Sequence, residues 1–167
     1  MKTIILVRHA KSSWKDLSLD DFDRPLNKRG KRNAPFMGEK LKEMEIMPDL
    51  ILSSSAKRAK KTAIAIAKAI GYPKKKIKYD KNMYHSSAWY LLEMVRNQDN
   101  KNETIMLFGH NPDLNIIADM LLKQNPVYNI PTTGVYCIRF EVDKWEKVQE
   151  GKGEAVFFDY PKRYTEE

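Results

Sequence analysis

Short apolar runs alternate with longer helical patterns along this 167-residue chain, and this alternation limits the possible folds more than any other feature of the sequence. The runs 3–7, 49–53 and 104–108 have the length and the β-branched or leucine-rich character of buried strands. Strands that alternate with helices form largely parallel sheets. Two later runs, 135–142 and 154–160, are joined by a polar turn that contains glycine, which predicts an antiparallel hairpin. The sequence therefore predicts an α/β fold with a mostly parallel sheet and an antiparallel edge.

Four helices are predicted in the intervals between these strands. They run from a cap at Asn27 to about Met44, over Ala56–Ile70 with Gly71 just past the end, from a cap at Ser86 or Ser87 through Val95, and from a cap at Asn111, with Pro112 in the first helical position, through Leu122. The first helix contains Pro35, which removes a backbone hydrogen bond, so we expect a kink there or a helix that begins near residue 34. In the third helix we expect Trp89 and Leu92 to face inward, together with Val95 or Met94.

Length, cysteine content and charge restrict the class of protein. Residues 1–167 fit a single domain, and the lone Cys137 is typical of a reducing compartment, so we expect a cytoplasmic protein. The apolar run at 4–7 is too short for a signal peptide, and no run is long enough to span a membrane. A formal charge of +8 would attract nucleic acid, acidic membranes or phosphorylated ligands. Because no nucleic-acid docking motif or aromatic platform accompanies the lysines, we expect no nucleic-acid or membrane partner.

Polar residues suited to phosphate binding follow three successive predicted strands. Arg8 and His9 follow the first strand, the segment 53–58 follows the second, and 109–111 follows the third. The carboxyl ends of parallel strands meet at one edge of the sheet, where α/β proteins bind their ligands. Helix N-termini offer unpaired amides to an anion at that edge, and the Arg8 and Arg58 guanidinium groups can hold phosphate oxygens with paired hydrogen bonds. The sequence therefore predicts a pocket for a phosphoryl group.

The residue types in this pocket suggest phosphoryl transfer to a histidine. A neutral imidazole is a competent nucleophile for phosphorus, and neighbouring arginines lower its pKa, which assigns this role to His9. His110 and the guanidinium groups of Arg8 and Arg58 would stabilise charge on the transferred group. Water would then hydrolyse the phosphohistidine.

Other charged and nucleophilic residues have simpler interpretations. The arginines at 24, 29 and 32 are interpreted as surface charges, and the aspartates at 20, 21 and 23 as turn residues, because no histidine or glutamate lies at ligand spacing beside them. We therefore expect no metal and no other cofactor. Cys137 lies inside a predicted strand, without the arginine spacing of a cysteine phosphatase. The sequence contains neither a glycine-rich nucleotide loop nor a G-x-S-x-G motif.

Three segments resemble the signature segments of a known family. Leu-Val-Arg-His-Ala-Lys-Ser (6–12), Ser-Ser-Ser-Ala-Lys-Arg-Ala-Lys-Lys-Thr-Ala (53–63) and Phe-Gly-His-Asn-Pro (108–112) are similar in order and spacing to the histidine phosphatase superfamily, also called the phosphoglycerate mutase-like superfamily. The segments 21–30 and 131–134 resemble its SixA-type phosphohistidine phosphatases. The resemblance implies a three-layer α/β/α sandwich, a phosphohistidine intermediate on His9, and a phosphate pocket of Arg8, Arg58 and His110. It also implies that Ser12 and Asn111 are neighbours of the phosphate.

The sequence departs from this family at the proton donor. Many members carry a glutamate and a glycine-rich insertion before the third signature segment, whereas this region contains no glutamate until Glu93. An alkoxide leaving group needs a general acid, but a phosphoramidate nitrogen needs less help. The sequence therefore favours a phosphatase for phosphohistidine in a protein, or for a related phosphoramidate or phosphomonoester, with His85 as a substitute donor. Two alternatives are a phosphatase for small phosphate esters and a non-catalytic module that binds phosphorylated ligands. The partner would be a phosphorylated protein or small molecule, and the sequence gives no indication of the oligomeric state.

Overall fold

The computed structural model describes residues 1–124 and 129–165. The strands are β1 (Lys2–Arg8), β2 (Leu50–Ser54), β3 (Lys78–Asp80), β4 (Thr104–Gly109), β5 (Val135–Phe140) and β6 (Glu154–Asp159). The α-helices are α1 (Lys28–Glu43), α2 (Lys57–Ile70), α3 (Ala88–Arg96) and α4 (Asp113–Leu121). Within the described ranges, no helix has the length and hydrophobicity that crossing a membrane requires.

The strands form one mixed sheet in the order β3-β2-β4-β1-β5-β6. The first four are parallel to one another, and β1 pairs with β4 in the register Val7 to Phe108 and Arg8 to Gly109. On its other side β1 pairs antiparallel with β5, which pairs antiparallel with β6. The predicted α/β fold with a mostly parallel sheet and an antiparallel edge is confirmed. Because β1 lies between β4 and β5, its carboxyl end is surrounded by the loops that follow or precede both neighbours.

Helices cover both faces of the sheet, and the alternation of side chains along β1 shows how. Ile4 and Leu6 belong to the apolar cluster that includes the buried faces of α3 and α4. Ile5 and Val7 belong to the cluster that includes the buried faces of α1 and α2. Neighbouring residues of a strand point to opposite faces, so the sheet lies between two helical layers. The expected three-layer α/β/α sandwich is therefore confirmed.

Helix α1 is continuous across Pro35, so the alternative start near residue 34 is wrong. The helix is fixed at its beginning because the Asn27 side chain accepts a hydrogen bond from the Gly30 N–H at 2.8 Å. Its interior proline removes one backbone hydrogen bond. Ala34, Met37 and Leu41 lie on the buried side of the helix, and their burial offsets that loss.

Two other predictions are corrected on the α3 side of the molecule. Trp89 is 57% exposed and does not face inward, because Ala88, Leu91 and Val95, together with Leu92, form the buried stripe of α3. Ser87 caps this helix through a 3.1 Å hydrogen bond from the Tyr90 N–H. The short strand β3 is absent from the sequence prediction, because two of its three residues are exposed and give no apolar pattern.

Some element ends also differ from the prediction. Pro112 occupies the cap position of α4, so the helix begins one residue later than expected. The Asn111 side chain still contributes, because its Oδ1 accepts a hydrogen bond from the Asn115 N–H at 3.2 Å. Strand β5 ends at Phe140 and β6 at Asp159, both earlier than predicted.

Candidate active site

The end of β1 places His9 between two neighbouring strands. The His9 N–H donates to the Gly109 carbonyl at 3.1 Å, and both the Arg8 and His9 carbonyls lie 3.1 Å from the Thr133 N–H. The His9 Nδ1 lies 2.8 Å from the Ala10 carbonyl oxygen. A carbonyl only accepts hydrogen bonds, so Nδ1 carries the proton and Nε2 keeps a free lone pair.

His110, just beyond β4, lies beside His9 with 5.2 Å between the ring centroids. Its Nε2 is 2.8 Å from the Ser54 hydroxyl oxygen. That oxygen accepts the Ala56 N–H at 3.2 Å and, as a hydroxyl, can also donate its own proton to Nε2. Donation to Nε2 leaves the proton of His110 on Nδ1, where it is buried and has no partner among the described residues.

Both histidines are held uncharged. Burial, together with the charges of Arg58, Arg8 and Arg24, lowers the pKa of His9 to about 4, although the hydrogen bond to Ala10 opposes this shift. Burial, with smaller contributions from the neighbouring His9 and Arg58, lowers the pKa of His110 to about 3. At neutral pH the His9 ring is therefore a neutral base, as the sequence analysis requires of a nucleophile.

Arg58, in the first turn of α2, is held by a carboxylate that the sequence analysis did not assign to the site. Its Nη1 donates to the Asp21 carbonyl at 2.6 Å, and its Nη2 donates to Asp21 Oδ2 at 2.9 Å. The same Oδ2 accepts the Tyr84 hydroxyl at 2.6 Å, and Oδ1 accepts Arg24 Nε at 2.9 Å. We call Asp21, Arg24, Arg58 and Tyr84 the Asp21 network. Burial acts to raise the pKa of Asp21, but hydrogen bonds from its three partners hold that pKa well below the usual range of a carboxyl group.

Arg24 is buried, so its interpretation as a surface charge is wrong. Its Nη1 donates to the Ser12 hydroxyl at 2.8 Å, and its guanidinium group stacks 3.5 Å from the centre of the Trp14 ring. Ser12 is therefore tied to the Asp21 network through Arg24. The one signal available in the sequence was the place of Arg24 in the segment 21–30, which resembles SixA-type proteins, because the polar loop around it has no periodic pattern.

Two threonines were also missed. Thr62, in α2, accepts the Ala10 N–H at 2.9 Å and donates to the Arg58 carbonyl at 2.7 Å, so it joins the β1 end to α2. Thr133 is fully buried with a positive φ of 61°, a conformation that β-branched residues rarely adopt. Its place in the segment 131–134, already noted for its resemblance to SixA-type proteins, was the one available signal.

The buried side-chain atoms that lack a partner converge on this region. Among the described residues they are Arg8 Nε, Arg58 Nε, His110 Nδ1 and Thr133 Oγ1. Buried polar groups are nearly always hydrogen-bonded, so four such atoms around one histidine mark a place for a polar ligand. Three of them belong to residues predicted from the sequence.

A cavity of about 300 Å³ opens beside this cluster, lined by residues from α2, the loop before α3 and the start of α4. Arg58 and His110 line it together with His85 and Asn111. His85 is exposed and adopts a positive φ of 52°, and its ring lies 4.0 Å from that of Tyr84. The Asn111 amide donates to the Ile130 carbonyl at 2.9 Å, which joins the start of α4 to the loop before β5.

In the described ranges, no three His, Cys, Asp or Glu side chains form a cluster suited to a metal ion. Cys137 is buried inside β5, where burial raises the pKa of its thiol to about 12 and makes it an inert apolar residue.

Fold and site together define an α/β protein that presents two uncharged histidines and buried guanidinium groups at the carboxyl edge of its sheet. The family model of the histidine phosphatase superfamily (branch 1) matches residues 4–83. A solved structure assigned as the phosphohistidine phosphatase SixA of Agrobacterium tumefaciens superposes with a TM-score of 0.83 and 26% identity, covering 96% of this chain and 98% of that one. The chain belongs to the histidine phosphatase superfamily.

Two uncharacterised proteins are among the relatives found by sequence. A chloroplastic protein of Arabidopsis thaliana is 36% identical over 128 residues, which are 72% of this chain and 59% of the relative. A Mycobacterium tuberculosis protein is 27% identical over 165 residues, which cover 93% of this chain and the whole relative. The matched region thus spans somewhat more than half of the plant protein and all of the bacterial one.

Proposed function

We propose that this protein is a metal-independent phosphatase that hydrolyses phosphohistidine in a protein, or a related phosphoramidate or phosphomonoester, through a phosphohistidine intermediate on His9. The observation that carries the proposal is the hydrogen bond between His9 Nδ1–H and the Ala10 carbonyl, which leaves Nε2 as a free nucleophile. We infer the same single-domain organisation, over residues 1–167, that the sequence analysis expects.

The first chemical step is an in-line displacement at phosphorus. The lone pair of His9 Nε2 forms a bond to phosphorus while the bond to the leaving nitrogen or oxygen breaks, and the leaving group departs with that electron pair. The pKa of about 4 keeps this lone pair free at neutral pH. Without the Ala10 hydrogen bond, the ring could rotate and present the wrong nitrogen.

Stabilisation of the transferred group falls to the donors around His9. Negative charge spreads over three phosphoryl oxygens during transfer. Arg8 Nε, Arg58 Nε and His110 Nδ1 are buried and have no hydrogen-bond partner among the described residues, so phosphoryl oxygens would satisfy them as donors. Ser12 and Asn111 would act at the margin of this group, because their side chains already contact Arg24 and the Ile130 carbonyl.

The second step releases phosphate. A water molecule attacks the phosphorus of phosphohistidine, its proton is lost to solvent or to the departing imidazole, and His9 returns to its neutral form. We assign His85 as the proton donor for oxygen leaving groups, because it lines the same cavity as Arg58 and His110. A phosphohistidine substrate leaves as an imidazole and depends less on such a donor.

Trapping of the intermediate tests the proposal. Protein treated with a labelled phosphohistidine peptide and quenched rapidly should carry a label that is labile in acid and stable in base, as a phosphoramidate is. His9→Asn should abolish both labelling and phosphate release while circular dichroism shows an unchanged fold. Turnover in His9→Asn, or labelling at another residue, would exclude the mechanism. Binding of phosphorylated peptide by the unaltered protein without labelling or turnover would favour the non-catalytic module.

Comparison of leaving groups tests the substrate class and the donor. The unaltered protein should release phosphate from a phosphohistidine peptide with a higher kcat/KM than from alkyl or sugar phosphates. The opposite preference would favour the small-ester phosphatase. His85→Gln should slow alkyl phosphates more than phosphohistidine, and an equal loss on both substrates would remove His85 from the role of donor.

A further inference from the structure

A second cavity adjoins the β1 terminus and is lined by four cations, three of which the proposed chemistry does not use. It measures about 320 Å³ and is formed by the end of β1, the start of α1, the segment 129–132 and residues 160–162. Its charged lining residues are all basic: Arg8, Lys11, Arg29 and Lys162. We call these four residues the basic cleft. Arg8 lines this cavity and also belongs to the proposed phosphoryl site, so it links the two.

No described acidic residue lines the basic cleft. Within residues 1–124 and 129–165, Lys11, Arg29 and Lys162 form no ion pair with any carboxylate. Four positive charges around one cavity repel one another. An anionic ligand would offset this repulsion. Without such a ligand, the clustered charges do not stabilise the fold.

Helix α1 increases the positive potential of the cleft. Its first turn contains Lys28 and Arg29 and no acidic residue, although the N-terminus of a helix is the positive end of its dipole. The arrangement resembles that of α2, whose first turn carries Arg58 for the proposed phosphoryl site. Close packing fixes α1 against the β1 terminus, because a Cβ at Gly30 would lie 2.2 Å from the Lys11 carbonyl oxygen. The backbone of Lys11 is therefore held against the first turn of α1, which carries Arg29.

The size of the neighbouring surface favours a polypeptide as the occupant. Lys11 and Arg29 also line a groove of about 1050 Å³ that continues past Trp14 to Arg32. Six of the groove's lining side chains are basic and one, Asp16, is acidic. A small phosphorylated molecule would fill only part of this continuous surface, whereas an extended acidic segment could follow it.

We propose that the basic cleft and its groove bind an acidic segment of the phosphorylated protein whose phosphoryl group enters the site at His9. This inference rests on the proposed function, because it names a feature of the same protein substrate. Arg8 joins the two sites, so the acidic segment lies next to the phosphohistidine in space.

A pair of phosphohistidine peptides tests this docking surface. One peptide carries aspartates and glutamates around the phosphohistidine, and the other carries asparagines and glutamines in their place. The unaltered protein should prefer the acidic peptide by about tenfold in kcat/KM at low salt. Arg29→Ala/Lys162→Ala should remove most of that preference through a higher KM, while turnover of the neutral peptide and of an aryl phosphate stays unchanged.

Matched variants separate local docking from overall charge. Lys68→Ala/Lys76→Ala removes two exposed cations outside the cleft and should keep the preference for the acidic peptide. Arg29→Glu/Lys162→Glu should instead prefer a peptide that carries lysines. An equal loss of preference in both alanine variants, or no loss in Arg29→Ala/Lys162→Ala, would overturn the proposal.

Binding of the same acidic peptide without its phosphoryl group provides a readout that is independent of catalysis. Fluorescence anisotropy should show weaker binding to Arg29→Ala/Lys162→Ala than to the unaltered protein. If the unaltered protein binds this peptide in the cleft but hydrolyses no phosphorylated substrate, the proposed function fails and the docking surface stands. If it hydrolyses both peptides with equal kcat/KM, the docking surface fails and the proposed function stands.

Discussion

The Asp21 network and the basic cleft both adjoin the β1 terminus, and they hold their cations in opposite ways. In the network, Arg58 and Arg24 each lie 2.9 Å from a different carboxylate oxygen of Asp21. In the cleft, Arg29 and Lys162 have no carboxylate partner among the described residues. The network therefore fixes the direction of its guanidinium groups, whereas the cleft leaves its cations free to meet a ligand.

This difference suggests two uses of positive charge in one molecule. A group that stabilises a transition state must be held in place before the reaction, and the Asp21 carboxylate provides that constraint for Arg58. A group that attracts a flexible partner works at longer range and needs no fixed direction. Variants in the two regions should therefore change different kinetic parameters.

Arg58→Ala should give the largest effect. We expect kcat/KM for an aryl phosphate to fall by about 10²- to 10³-fold, because a preorganised donor to the phosphoryl oxygens is lost. Arg29→Ala, which removes an equal charge from the cleft, should change kcat/KM for this small substrate by less than about twofold. Steady-state assays of both variants provide the measurement, and similar losses would erase the distinction between the regions.

The sequence indicated the parts of this site that lie directly at the ends of strands. Arg8, His9 and His110 follow strands with strong apolar patterns, and the structure places the two histidine rings 5.2 Å apart. Asp21 and Arg24 lie instead in a loop whose position depends on contacts with α2. No local pattern indicates such contacts, because partners such as Arg58 and Asp21 are brought together only by the folded chain.

The same reasoning explains which helices and strands could be predicted from the sequence and which could not. The long helices α1 and α2 carry clear caps or end signals, such as Asn27 and Gly71, and were predicted closely. Trp89 was misplaced because a short helix with apolar residues on several sides has more than one plausible buried face. Strand β3 pairs only with β2 and is mostly exposed, so its formation depends on its neighbour and not on its own composition.

Acidification should reveal the effect of keeping His9 uncharged, which burial causes first and to which Arg58 of the network and Arg8 of the cleft also contribute. The pKa of His9 falls from 6.5 to about 4 on folding, so the unfolded chain binds this proton first as the pH drops. The contribution of His9 to the free energy of unfolding is fully present above about pH 6.5 and is lost progressively as the pH falls towards 4. When the pH falls from 7.5 to 4.5, the free energy of unfolding should decrease in both proteins. The decrease should be about 2 to 3 kcal/mol smaller in His9→Asn than in the unaltered protein.

Urea denaturation at the two pH values measures this difference. Asp21 does not contribute to the difference between pH 7.5 and 4.5. Its pKa is lowered from 3.8, so its contribution to the free energy of unfolding is lost only at more acidic pH. Equal losses in the two proteins would show that folding does not lower the pKa of His9, so that the ring is largely protonated at pH 4.5 in the folded state as well.

Asp21→Asn tests whether the Asp21 carboxylate holds the guanidinium groups of Arg58 and Arg24 in place. The amide keeps the size of the carboxylate but loses its charge, so Arg58 and Arg24 lose their common anchor. We expect kcat/KM to fall by about tenfold for small and peptide substrates alike. Asp23→Asn is the matched control, because Asp23 lies in the same turn without an ion pair to a described residue. Wild-type kinetics in Asp21→Asn, or an equal loss in Asp23→Asn, would contradict an anchoring role.

Tyr84→Phe should give the smallest effect, about threefold in kcat/KM, because it removes one of three hydrogen bonds to the Asp21 carboxylate and keeps the ring. Tyr90→Phe is its control, since the Tyr90 hydroxyl also donates to a carboxylate, that of Asp80, on the exposed surface of the molecule.

A double-mutant cycle decides how Tyr84 acts. If the hydroxyl works through Asp21, then Tyr84→Phe should have little further effect in the Asp21→Asn variant, because the charged acceptor is already gone. If the two losses instead add in full, the hydroxyl acts on the substrate directly. Tyr84 lines the 300 Å³ cavity beside His110, so the second outcome has a physical route. It would move Tyr84 from the group that anchors Arg58 to the group that contacts substrate.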